Sequence, residues 1–234
     1  MIDLEICGDS FESALLAADY KFKRIELCAN LTEGGTTPSF GMIQKCASLK
    51  TIEVHVMIRP RPGSFVCSQT DLDIMARDMV AAAIAGAKGV VFGCLTKENE
   101  LDLQATLYLA EVALKQKLEF TFHRAIDSTP NSLKTLEHLH KLGFSRILTS
   151  GSKTSVNEGM NLLKEMVSFS QKNPIQIMAG GGVNTTNAKQ LAELGIHALH
   201  FTARKKINNN LPTGMGEDFE VDEEKIKQIL NTLS

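Results

Sequence analysis

Hydrophobic positions along the chain switch repeatedly between two periods. Short runs rich in Val, Ile, Leu and Phe alternate with longer stretches whose apolar residues recur at helical spacing. The short runs fall at 3–6, 24–27, 52–58, 89–92, 119–123, 146–149, 175–179 and 198–201, and the helical stretches at 11–20, 39–49, 72–85, 101–115, 132–142, 156–170, 185–194 and 222–233. Eight such alternations require a parallel sheet with right-handed crossovers. The economical closure is a (β/α)8 barrel of TIM type, with an open doubly wound sheet as the alternative. Thr37-Pro38, Thr70-Asp71 and Thr129-Pro130 offer caps or a first-turn proline for helix starts, and Gly86, Gly143 and Gly195 stand where helices end. No linker or composition break divides residues 1–234, so one barrel domain is expected, with 205–220 as its long irregular stretch.

Side-chain alternation along each strand then sorts residues into two faces. Leu4, Ile6, Ile25, Leu27, Val54, Val56, Ile58, Phe120 and Phe122 share the apolar face that meets the helices. The opposite face, inside the barrel, receives Glu5, Cys7, Glu26, Cys28, Glu53, His55, Met57, Arg59, Thr121, His123, Gln176, Met178, His200 and Thr202. A barrel interior is normally filled by branched apolar side chains, so charges there must be paired or functional.

Composition narrows the partners. The chain has 234 residues, 43% hydrophobic and 22% charged, with a formal net charge of -2. There is no basic stripe for nucleic acid and no cationic face for a membrane, which leaves a small solute. Acidic residues open the chain, and no apolar run approaches the roughly 20 residues of a membrane span, so a cytoplasmic protein is expected. Five cysteines, at positions 7, 28, 46, 67 and 94, form no CxxC pair and give no disulfide framework. A homo-oligomer acting as an interaction platform stays open.

Two kinds of chemistry are legible at the strand ends. Cys7 and Cys28 end neighbouring parallel strands about 4.8 Å apart; they are either small core side chains or a thiolate pair for a soft ion such as Cu(I), with Met57 or Met178 nearby. The second kind is catalytic. Glu5, Glu26, Arg59, His123, Asp127 and His200 come from separate strand ends, as a barrel assembles an active site, with His123 as the proton-transfer group and Glu26 as its complement. His55 and Arg61 would bind substrate beside them. Gly180-Gly181-Gly182, between a strand and Asn184 at the start of a helix, would bind a phosphate or carboxylate together with Ser150, Gly151 and Arg204. Arg124 is expected to face away and pair with Asp127, and His138, His140 and His197 to lie at the surface or in packing.

The blocks Arg24-Ile25-Glu26-Leu27-Cys28, Glu33-Gly34-Gly35-Thr36-Thr37-Pro38-Ser39 and Gly41, Ile58-Arg59-Pro60-Arg61-Pro62-Gly63, Thr121-Phe122-His123-Arg124-Ala125-Ile126-Asp127, Leu148-Thr149-Ser150-Gly151 and Met178-Ala179-Gly180-Gly181-Gly182-Val183 occur in that order. This arrangement resembles the CutC family, usually called copper homeostasis proteins, over nearly the whole chain. The resemblance implies a TIM-type barrel, a cytoplasmic location and a link to copper. Cys67 stands where the resemblance would place a tyrosine, shortly after Gly63-Ser64-Phe65. The expected function is Cu(I) binding through Cys7 and Cys28, with an enzyme acting on a small phosphorylated or carboxylated metabolite as the alternative.

Overall fold

The eight strand-forming runs pair in sequence order, each parallel to the next, and the first closes on the last. The computed structural model describes residues 2–207 and 217–233. In chain order the elements are β1 (Asp3–Gly8), α1 (Phe11–Asp19), β2 (Arg24–Leu27), α2 (Phe40–Ala47), β3 (Glu53–Met57), α3 (Gln69–Ala85), β4 (Gly89–Phe92) and α4 (Leu103–Lys115). Then follow β5 (Glu119–Phe122), α5 (Ser132–Lys141), β6 (Arg146–Thr149), α6 (Met160–Ser170), β7 (Gln176–Gly180), α7 (Ala188–Glu193), β8 (Ala198–Thr202), β9 (Arg204–Ile207), β10 (Asp218–Val221) and α8 (Glu223–Leu233). The result is a (β/α)8 barrel of TIM type, and the open doubly wound sheet is ruled out by the β1–β8 pairing.

The main apolar core lies between strands and helices, because the strands send most of their aliphatic and aromatic side chains outward. Ile6, Ile25, Leu27, Val56, Phe92, Phe122 and Leu199 are all fully buried there. A tight aromatic group forms where β4 and β5 meet the start of β6: Phe144 packs against Phe92, Phe120 and Phe122 with ring centroids 5.3, 4.8 and 5.6 Å away. Among the described residues, no helix is long and apolar enough to cross a membrane.

Local chemistry refines several expected boundaries. The caps are Ser39 and Asn131, each directly after its Thr-Pro pair, and Ser68, two residues before Thr70; their side chains accept from the backbone N–H of Met42, Lys134 and Asp71. Ser68 and Asp71 complete a capping box, which starts α3 three residues earlier than the apolar pattern alone indicates. Helix α7 is much shorter than 185–194, because Asn184 folds residues 184–187 into a side-chain-capped turn: its Oδ1 accepts from the backbone N–H of Thr186, while its own N–H goes to Asn187 Oδ1. Short 3-10 turns at Leu31–Glu33 and Arg124–Ser128 follow β2 and β5. The stretch expected to be irregular contains an antiparallel ribbon, β9 with β10, held by ion pairs of Lys205 with Glu220 and Lys206 with Glu217; residues 208–216 lie outside the described residues.

Candidate functional site

The barrel interior carries a chain of buried charges at the β1–β2–β8 side. Register places Glu5 beside Arg24 on one flank and His200 on the other. Arg24 Nε donates to Glu5 Oε2 at 3.0 Å, His200 Nδ1 lies 2.8 Å from Glu5 Oε1, and His200 Nε2 lies 3.5 Å from Glu26 Oε2. Burial opposes charging all of these groups, and their mutual contacts decide the outcome. For Glu5, burial is outweighed by the bond and charge of His200 and by Arg24, so its carboxyl is held well below the usual carboxylate range. Burial also disfavours His200⁺, but Glu26, Cys7 and Glu5 overcome it and raise the imidazole well above its ordinary value. Burial, reinforced by Glu5, pushes Glu26 up despite His200.

Three glycines make room for the interior imidazoles. A Cβ on Gly89 would lie 2.4 Å from the His55 ring, one on Gly93 2.7 Å from the His123 ring, and one on Gly180 2.5 Å from Leu148 and 3.1 Å from His200. Any side chain at Gly89 or Gly93 would displace an aromatic ring locked in the barrel, so these positions are steric partners of the histidines.

Above this layer the strand ends open into a cavity of about 330 Å³. Cys7, Glu26 and His200 line it, with one donor atom each within 4.8 Å of the others; Cys28 is buried just behind, its Sγ 3.9 Å from Cys7 Sγ and 3.9 Å from Glu26 Oε2. Cys28, Met57 and Val91 pack as a small apolar group with Cys7 and Leu31 beside it. Glu26 Oε1 is buried without a hydrogen-bond partner among the described residues. The bond from Cys28, burial and nearby Glu26 raise the Cys7 thiol well above its ordinary range. At Cys28 the contact with Cys7 pulls downward, yet burial and Glu26 push the thiol up to about 11.

The opposite wall is cationic and aromatic. Phe65 packs tilted against the His123 ring, centroids 4.7 Å apart, and the Arg59 guanidinium lies 5.3 Å from the Phe65 centroid. Arg59 donates to the carbonyls of Glu33, Gly35 and Gly63, while its buried Nε has no partner among the described residues. Arg124, Arg204 and Lys225 also line the cavity, as do Gly181 and Gly182. His123 Nδ1 accepts from the Ala125 N–H at 3.2 Å, so the neutral ring carries its proton on Nε2. Burial, then the charge of Arg59, depress its pKa to about 3.

Comparison with known proteins agrees with this architecture. The CutC family model matches residues 2–205. A CutC family protein from Vibrio atlanticus is 40% identical over 229 residues, covering 96% of this chain and 92% of the relative. The chain belongs to the CutC family. A human relative named copper homeostasis protein cutC homolog is 38% identical, covering 96% of this chain and 83% of its own length. The solved structure of a CutC chain from Streptococcus agalactiae superposes with TM-score 0.80 at 35% identity, over 86% of this chain and 98% of that one. A thiamine phosphate pyrophosphorylase from Pyrococcus furiosus, TM-score 0.62 at 14% identity, shares the fold.

Within this CutC-family barrel, Cys7, Glu26, Arg59, His123, His200, Arg204, Gly181 and Gly182 converge on the one cavity. Glu5 and His55 face inward one layer deeper, and burial lowers His55 to about 3. Other expected site residues lie elsewhere for clear reasons. Arg61 turns onto Val66 O and Asp71 Oδ2, toward α3. Asp127 is enclosed mainly by the turn after β6: it accepts from Thr149 Oγ1, the N–H groups of Ser150 and Ser152, Ser150 Oγ and, from its own loop, Arg124 Nε. This internal carboxylate occupies the donors that Ser150 would offer a ligand, and the Gly151 N–H goes to Thr149 Oγ1. Gly180 is a strand residue packed on Leu148 and His200. Arg124 does pair with Asp127, but its guanidinium also reaches the cavity, 2.9 Å from where a Cβ on Gly181 would lie.

Arg24 and Arg146 are interior residues that the strand pattern left unremarked. Both sit two residues before an inward-facing position, so the alternation that identified Glu26 identifies Arg24 as well. Arg146 donates to Gln176, Thr121 and Glu119 across the barrel floor. Phe65 and Lys225 reach the mouth from a loop and the last helix, where no periodicity marks them.

The depressed pKa of His123 has a direct spectroscopic consequence. The ring should remain neutral with an unprotonated Nδ1 from pH 8 down to pH 5, read from nitrogen chemical shifts of the labelled imidazole. A full titration near pH 6.5 would show that the ring is hydrated and not buried against Phe65 and Arg59.

Proposed function

We propose that this CutC-family chain binds Cu(I) at the barrel mouth through Cys7 and Cys28, with Glu26 as an adjacent donor and His200 as an outer partner. The observation that carries the reading is the 3.9 Å sulfur–sulfur separation beside a carboxylate and an imidazole. Paired thiolates select a soft monovalent ion, whereas the hard cations prefer sites made of oxygen alone. The unpartnered Oε1 of Glu26 provides a further ligand atom or proton acceptor at the same place. Copper is cargo on this reading, and the names of the mouse and human relatives, copper homeostasis protein cutC homolog, support it. A cytoplasmic setting, which keeps thiols reduced, completes the proposal.

The protonation states set how the metal is taken up. Both thiols lie above their ordinary values, so each is protonated at neutral pH and must lose its proton to ligate. Affinity therefore rises as pH rises, by about tenfold per pH unit for each proton displaced, until the thiols titrate. Under reducing conditions, chelator competition should show tight Cu(I) binding with that slope. Cys7→Ser and Cys28→Ser should each weaken it by more than about 100-fold, beyond the roughly 10–100-fold expected for an outer partner such as His200. Unchanged stoichiometry and affinity in the double variant would remove the proposal.

A second reading rests on the size and charge of the cavity. A volume of about 330 Å³ lined by Arg59, Arg124, Arg204 and Lys225 exceeds what a single ion requires and suits a small phosphorylated or carboxylated metabolite. Gly181 and Gly182 supply main-chain groups at its edge, and His123 would donate from Nε2–H while Glu26 and His200 manage protons. Inorganic phosphate titrated into the metal-free protein should bind at millimolar concentration, and Arg59→Gln should weaken binding at least tenfold. No detectable binding at that concentration would eliminate the metabolite reading while leaving copper untouched.

A further inference from the structure

Away from the mouth cysteines, Cys67 and Cys94 place their sulfurs 3.3 Å apart, the shortest thiol contact among the described residues. Cys67 belongs to the loop that leads from β3 to α3, and Cys94 follows β4. Two main-chain bonds fix their segments: Leu95 N–H donates to Phe65 O at 2.9 Å, and Asp102 N–H to Cys94 O at 3.1 Å. The two segments are therefore held side by side by their backbones, with the sulfurs within reach of each other. A cleft of about 20 Å³, room for about one water, reaches Cys67 between Arg61, Ser64, Asp71 and Met75. Cys67 is partly exposed; Cys94 is buried.

We propose that Cys67 and Cys94 form a peroxide-oxidised, thiol-reversible disulfide, an oxidation site distinct from the copper cysteines. Cys67 acts first because it is reached from solvent, whereas its partner Cys94 is buried. The contact from Cys94 and the charge of Arg61 lower its thiol despite burial and Asp71. The other thiols are raised: Cys7 and Cys28 in the carboxylate-bearing mouth, Cys46 in the core.

The chemistry balances with hydrogen peroxide as oxidant. The Cys67 thiolate attacks one peroxide oxygen, the O–O bond breaks, and the departing hydroxide takes up a proton to leave as water. Cys67 is then a sulfenic acid. Cys94 sulfur attacks that sulfur, the S–O bond breaks, the Cys94 proton goes to the leaving oxygen, and a second water departs. Two thiols and one peroxide thus give one disulfide and two waters. A dithiol reductant reverses the product by exchange. Closing the sulfurs from 3.3 Å to the disulfide length of about 2.05 Å needs only a small movement of the Cys67 loop. That loop carries Phe65, which packs against His123 and Arg59, so the oxidation state is felt at the mouth.

The test uses copper-free protein, so its outcome is independent of the copper proposal. After limited hydrogen peroxide and alkylation of remaining thiols, peptide mapping should recover a Cys67–Cys94 cross-link, with Cys7, Cys28 and Cys46 alkylated. Dithiothreitol should restore both thiols. The Cys7→Ser, Cys28→Ser double variant should still form the cross-link, and Cys67→Ser should abolish it. A Cys7–Cys28 cross-link in place of it, a sulfinic acid on Cys67 beside a free Cys94, or both thiols intact when the mouth cysteines are oxidised would each overturn the proposal.

Discussion

Glu5 sits between two cations inside the barrel, Arg24 on one flank and His200 on the other, and the mouth lies above that contact. A carboxylate removed from water is costly unless charge and hydrogen bonds replace its hydration, and both are provided here by flanking strands in register. Removing one partner of such a buried network costs roughly 3–5 kcal/mol, because the remaining charge is left without a counterion. With Glu5 ionised, His200 stays cationic and is aimed at Glu26. Glu26 in turn borders the Cys7–Cys28 pair. The mouth's charge state is therefore shared: Glu26 and Cys7 do most to hold His200 cationic, and Glu5 anchors it from the layer beneath.

The same barrel sets two histidines apart from the third. His200 is held charged by two carboxylates, whereas His55 and His123 are held neutral by burial, each against a glycine on the neighbouring strand or just beyond it. One mouth thus presents a proton-rich sulfur and carboxylate wall and a neutral imidazole under a phenyl ring and a guanidinium. The first wall suits a soft cation, the second the polar part of an organic anion.

Much of this was legible in the sequence because a strand has a strict period of two. Apolar residues at 54, 56 and 58 force 55, 57 and 59 to the other face, and the interior positions of Glu5, Glu26, His55, His123 and His200 follow. The family followed from ordered motifs such as Thr121–Asp127. What remained hidden depends on loops and on contacts distant in sequence. Asp127 has the composition of a catalytic acid, yet the turn after β6 wraps its own donors around it. Cys67 and Cys94 are 27 residues apart on different loops, and no spacing marks their approach. The glycine loop reads as a helix N-terminus, but Asn184 captures its local donors and postpones α7 to Ala188.

The central claim, that two mouth thiolates selected by this charged interior hold copper, is tested most directly by X-ray absorption of the protein loaded with one equivalent of Cu(I) under reducing conditions. The account predicts two sulfur scatterers in the first coordination sphere, falling to one in Cys7→Ser. A sphere of nitrogen and oxygen alone, or a sulfur count unchanged by that substitution, would contradict it.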